Sequence, residues 1–237
     1  MSKFLKDINN IVDYNRLQFK NVTSHYDLFN FLFVNFNYTA LFDNYIFLDT
    51  AQFDPHIYKG VDRNFDFYNE SIPKNPSNET IWSSYLMADV IHPHGTQNIP
   101  RSIIFGADIP SCKPNSKEKF LNKPFVAQND NKYFDFFDNT ELFIIYGMSL
   151  GLTDSWWLDS IFEQLMKEDK QSELIIYWHS NQNTNCDFVI NKFFNSCVRH
   201  RDKLSDKKII STVKNKIFIV QFNDNNTHYL GFNDKTE

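Results

Sequence analysis

From residue 141 to residue 222 the chain alternates between short apolar runs and amphipathic stretches, and this alternation constrains the fold more than any other feature. Residues 141–146, 174–178 and 217–222 are almost continuously apolar and have the length of buried strands. Between the first two, residues 155–167 place Trp157, Leu158, Ile161, Phe162, Leu165 and Met166 at helical spacing, with Asp154 in front as a natural N-cap. Residues 188–198 predict a second helix. Strand and helix in strict alternation predict an α/β fold with a mostly parallel sheet flanked by helices.

Upstream the pattern is less regular. Residues 1–30 carry Phe4, Leu5, Ile8, Ile11, Val12 and Leu17 near helical spacing and read as a helical N-terminal segment. Residues 28–36 are apolar and aromatic throughout, which predicts a strand buried on both faces, closed by Asn37, with Thr39 capping a short helix through Asn44. Residues 49–80 break into Asp54-Pro55, Lys59-Gly60, Ile72-Pro73 and Asn75-Pro76, the signature of an irregular insertion or lid. A short helix is expected at 81–87, a short strand at 102–105 ending before Gly106, and a loop at 108–122. With no internal repeat and no boundary signal, the 237 residues read as a single α/β domain, 1–237.

Hydrophobic residues make up 42% of the chain and aromatics 17%, including 25 Phe and 11 Tyr, so the expected core is globular and aromatic. A formal charge of -5 gives no electrostatic footprint for nucleic acid or a membrane surface, and neither is expected as a partner. The basic residues Arg199, Arg201, Lys203, Lys207 and Lys208 are interleaved with Asp202 and Asp206 and read as a solvated face. Cys112, Cys186 and Cys197 are odd in number and unpaired by spacing, and no run approaches the roughly 18 apolar residues of a spanning helix. A cytoplasmic protein fits these features. The six glycines build neither a G-x-G-x-x-G fingerprint nor a Walker loop.

Chemistry concentrates in Ile91-His92-Pro93-His94-Gly95. A histidine titrating near ~6.5 can take a proton from a hydroxyl at neutral pH, which makes His94 the candidate base. Gly95 beside it would let a sugar or phosphate approach the backbone. The plainer reading is that both imidazoles tie the loop to neighbouring backbone. A metal reading would combine His92, His94 and Asp89 with His179, although no metal is expected. Gly147-Met148-Ser149-Leu150-Gly151 matches the G-x-S-x-G nucleophile turn, and Asp187 and His228 follow in hydrolase chain order. Its alternative is a glycine turn that holds a ligand oxygen or caps the next helix.

Phe36-Asn37-Tyr38-Thr39, His92-Pro93-His94-Gly95, Ile104-Phe105-Gly106 and Tyr146-Gly147-Met148-Ser149-Leu150-Gly151-Leu152-Thr153-Asp154 together resemble the AbiH family of bacteriophage abortive-infection proteins. Pro93 stands where the family has Ile, and Met148 where it has His. The resemblance covers roughly residues 31–178 and implies a role in phage defence. A looser similarity links the same blocks to the sirtuin-like, Rossmann-like NAD-binding fold, here without its N-terminal strand, its glycine-rich turn or its zinc module.

That similarity implies NAD as a nucleotide ligand and substrate, cleaved at the nicotinamide glycosidic bond with His94 as base. It also implies nucleotide contacts from Asn37, Thr39, Gly95, Phe105, Gly106, Gly147, Ser149 and Asp154. Two alternatives stay open at this point: a non-enzymatic module that binds a nucleotide or a phage component, alone or as a homo-oligomer, and a serine hydrolase using Ser149.

Overall fold

The computed structural model describes residues 28–46, 85–113 and 115–224. They divide into two compact units, the first comprising 28–46 and 85–103, the second 104–113 and 115–224. The helices expected in residues 1–27 and the insertion expected at 49–80 lie outside the described residues.

In the first unit, strand β1 (Leu28–Val34) pairs in parallel with β2 (Tyr85–Ile91), in a register running from Leu28 opposite Tyr85 to Val34 opposite Ile91. The Asn35 amide extends the ladder by donating to the Ile91 carbonyl at 2.9 Å. Residues 85–87, expected in a helix, are therefore strand. Leu86, Met87 and Ala88 are good helix formers, but seven consecutive pairings to β1 outweigh a propensity worth tenths of a kcal/mol per residue, roughly.

Helix α1 (Leu41–Ile46) follows β1. It begins after Ala40, whose carbonyl accepts from the Asn44 amide at 3.1 Å, so Thr39 is not the capping residue. Ile46 and Ala88 form the centre of this unit's core, with Phe31, Phe33, Phe42 and Val90 packed around them. Phe33 and Phe42 meet edge to face, centroids 4.7 Å apart. Asn30 and Leu32 are exposed while Phe31 and Phe33 are half-buried, so β1 is not covered on both faces as its composition suggested.

The second unit carries the alternation read from the sequence. Strands β3 (Leu142–Tyr146), β4 (Glu173–His179) and β5 (Ile217–Phe222) form a parallel sheet in the order β3-β4-β5. Between them and around them run α2 (Lys123–Ala127), α3 (Asn129–Lys132), α4 (Phe134–Asp138), α5 (Ser155–Met166), α6 (Cys186–Ser196) and α7 (Lys207–Lys214). Both units are thus α/β, with parallel strands flanked by helices. Central strand β4 is the most apolar part of the core, and Leu174, Ile175 and Ile176 are fully buried.

Helix α5 was expected to bury one face, yet Trp156, Asp159 and Gln164 are buried along with Trp157, Leu158, Ile161, Phe162 and Leu165. It is a core helix covered nearly all round, which requires partners for its polar groups. Aromatic packing supplies much of its cover: Phe137 contacts Phe143, Trp156 and Trp157 at centroid distances of 5.9, 5.6 and 5.8 Å. At its far end the Lys216 ammonium donates to the carbonyls of Leu165, Lys167 and Lys170 at 2.9–3.0 Å, filling acceptors that the end of a helix leaves open.

The strand expected at 102–105 does not form. Pro100–Ser102 is a turn of 3-10 helix, and the Ser102 hydroxyl takes up the local backbone, accepting from the Thr96 amide at 2.9 Å and donating to the Ile99 carbonyl at 2.7 Å. The run is apolar, but among the described residues no strand pairs with residues 102–105. Among the described residues no helix is long and apolar enough to cross a membrane.

Candidate functional sites at the carboxyl ends of the strands

Parallel sheets place binding groups where their strands end and loops begin. In the first unit β1 and β2 end together, and the blocks Phe36–Thr39 and His92–Gly95 emerge side by side. The Asn35 side chain shapes the first loop: its Oδ1 accepts from the Asn37 amide at 3.0 Å, and its Nδ2 donates to the Thr39 carbonyl at 3.4 Å. The Gln97 amide donates to the Tyr38 carbonyl at 2.7 Å, joining the two loops.

His92 is the second join. Its Nδ1 lies 3.2 Å from the Asn37 carbonyl oxygen, and its Nε2 lies 2.9 and 3.0 Å from the two oxygens of Asp43 on α1. Both partners are acceptors, and between them they engage both ring nitrogens. A ring engaged at both nitrogens is a tie between the loops and α1. Asp43 was missed in the sequence because nothing in Leu41-Phe42-Asp43-Asn44 marks it, and only the fold carries it across 49 residues to His92.

His94 is 7% exposed, with its ring 5.2 Å from that of Phe36. Asn37 is exposed, Thr39 is half-buried, and Gly95 is buried. Gly95 has φ +84, and a Cβ there would fall 2.1 Å from the Ser102 carbonyl oxygen. Its glycine is required by the chain's own packing, so the absent side chain does not open room for a sugar or phosphate. The structure therefore brings together Asn37, Thr39, His94 and Gly95 in one unit. Asp89, the nearby carboxylate of the metal reading, is exposed on β2, and among the described residues no group of three or more His, Cys, Asp or Glu side chains is gathered to hold a metal ion.

Phe105, Gly106, Gly147, Ser149 and Asp154 belong to the second unit. Phe105 is exposed, and Gly106 has φ +140 with the Leu121 carbonyl oxygen 2.1 Å from where a Cβ would stand. Gly147, at φ +66 directly after β3, has nothing within 4 Å of that position and is the glycine beside open space. Ser149 is exposed.

Asp154 occupies the residue before α5 but makes no capping bond. Its Oδ2 accepts from the Thr153 hydroxyl at 3.1 Å and its Oδ1 lies 3.5 Å from Lys123 Nζ. The cap comes from Asp108, 46 positions earlier in the chain, whose Oδ2 accepts from the Trp156 amide and from the Ser155 hydroxyl at 2.7 Å.

Arg199 completes that cluster. Its Nη2 reaches Asp108 Oδ1 at 2.5 Å, its Nη1 reaches Asp108 Oδ2 and Asp159 Oδ2 at 2.9 Å, and its backbone amide donates to Asp159 Oδ1 at 3.0 Å. Burial pulls the guanidinium pKa down, but the bonds to Asp108 and Asp159 more than offset this and leave it above its ordinary value. Arg199 is thus not part of a solvated basic face. The alternating charges suggested one, and the two aspartates that claim it lie 91 and 40 residues away.

The carboxyl ends of β4 and β5 hold another histidine–carboxylate pair. His179 Nε2 lies 2.9 Å from Asp224 Oδ1, and Asn181 Nδ2 donates to Asp224 Oδ2 at 3.0 Å. Asp187, considered above as a triad acid, pairs with Lys214 at 2.6 Å, and His228 lies outside the described residues.

The family model described as Bacteriophage abortive infection AbiH matches residues 1–178, three quarters of the chain and every block quoted from Asn37 to Asp154. The chain belongs to the AbiH family. Its membership points to abortive infection, a defence against bacteriophage. No curated protein and no solved structure matches it. Arg199 and the His179–Asp224 pair lie beyond the matched segment.

Proposed function

We propose that this AbiH protein acts in phage defence by hydrolysing NAD at its nicotinamide glycosidic bond, with His94 as the base. The reading rests on the sirtuin-like resemblance of the blocks. One observation supports it in particular: His94 stands in the loop that closes β2, and the exposed Asn37 stands in the loop that closes the paired strand β1. Water adds to the ribose carbon as nicotinamide departs. His94 takes the proton, while the exposed Asn37 amide and Thr39 hold the ribose and carboxamide.

NAD consumption by the purified chain, with nicotinamide and ADP-ribose resolved by chromatography, tests this. Loss of turnover in a folded His94→Ala variant is expected. Full activity of that variant, or no consumption by the folded wild type, overturns the proposal. The burial of His94 favours a second reading, in which the unit binds a nucleotide without chemistry. NAD would then raise the melting temperature with no nicotinamide released.

A further inference from the structure

The G-x-S-x-G match lacks its expected partners, yet the turn is strained directly beside its serine. Leu150, directly after Ser149, has φ +52, a left-handed conformation that a bulky residue rarely adopts. Its side chain is 2% exposed and its carbonyl accepts from the buried Ser196 hydroxyl at 2.6 Å, so the surrounding structure enforces the strain. The reversal leaves Ser149 exposed, and its hydroxyl has no hydrogen-bond partner among the described residues.

His179 ends β4, the strand next to β3. Asp224 accepts from its Nε2, and Asn181 braces Asp224 twice, donating to its Oδ2 at 3.0 Å and accepting from its backbone amide at 3.4 Å. A carboxylate only accepts, so Nε2 is the donor of this pair, and Nδ1 has no partner among the described residues. Register puts Tyr146, Tyr177, His179 and Phe222 on one face of the sheet, with Phe222 5.2 Å from His179 and 5.5 Å from Tyr146, three residues before Ser149.

We propose that Ser149, His179 and Asp224, at the carboxyl ends of three adjacent parallel strands, form an acyl-transfer site that takes ester substrates. The Ser149 oxygen bonds to the acyl carbon while its proton passes to His179 Nδ1, and that proton leaves with the alcohol as the ester bond breaks. Water, losing a proton to His179, then attacks the acyl carbon. The carboxylic acid departs and the proton returns to Ser149. Asp224 holds the imidazole in the required tautomer throughout.

The site lies in the second unit and does not rest on the NAD reading. A fluorophosphonate probe and p-nitrophenyl acetate test it on the full chain, with melting curves confirming that each variant folds. The probe is expected on Ser149 by peptide mapping and absent from Ser149→Ala. Labelling and ester turnover should fall about 100-fold or more in His179→Gln, the scale of a lost general base. Asp224→Asn, which offers His179 a donor where an acceptor is needed, should lower both as well. A folded wild type that takes no probe overturns the proposal, and a Ser149 that only contacts a nucleotide would give that result. Labelling undiminished in His179→Gln overturns it equally.

Discussion

Each unit sets a histidine against an aspartate where its parallel strands end, and the two pairs are suited to different work. His92 faces acceptors on both sides, Asn37 and Asp43, and its side chain is 10% exposed. His179 faces one acceptor, keeps its second nitrogen open among the described residues, and is 48% exposed. A His–Asp pair is therefore not a function in itself. The second ring nitrogen decides, because an imidazole bonded at both ends is a cross-link and one bonded at a single end is an oriented base.

The comparison predicts where stability resides. In the second unit the structural load falls on Asp108 and Arg199, not on His179. Asp108→Ala leaves the Trp156 amide, the Ser155 hydroxyl and a half-buried guanidinium without their carboxylate, and should cost about 3–5 kcal/mol in denaturant unfolding. A loss within ordinary surface scatter would show that the cluster is not the anchor its geometry describes.

The next effect belongs to the first unit. His92→Ala strands the Asp43 carboxylate and the Asn37 carbonyl, at a cost of about 1–3 kcal/mol read from thermal unfolding. His179→Ala, at an exposed site, should stay within roughly 0.5 kcal/mol by the same measurement. If the two histidine variants exchange these values, the division between cross-link and base fails.

The smallest effect is a titration. Asn181 first and His179 second hold the Asp224 carboxyl below its ordinary value. The associated stability is therefore present above the ordinary carboxylate pKa and lost as pH falls through the lower folded value. Followed by carboxyl carbon shifts, Asn181→Ala should move the Asp224 titration upward by more than His179→Gln does. A larger response to the histidine would mean that the ring, not the amide, braces the carboxylate.

The alternating strands and helices of the second unit were legible because buried parallel strands are written as continuous apolar runs, as in Leu174-Ile175-Ile176 and Ile217-Phe218-Ile219. The family blocks were equally legible, since Asn37, His94, Gly147 and Ser149 lie in short local motifs. Residues 85–87 and 102–105 were misread, because whether an apolar stretch becomes strand depends on a neighbour's edge that local sequence does not contain. β1 offered such an edge to 85–91, while residues 102–105 met none among the described residues. Tertiary structure alone also assigned the partners of charge: Asp43 to His92, Asp108 and Asp159 to Arg199, Asp224 to His179. Hydrogen bonds between side chains obey distance in space, and 40 to 91 residues of intervening chain leave no periodic trace of such pairs.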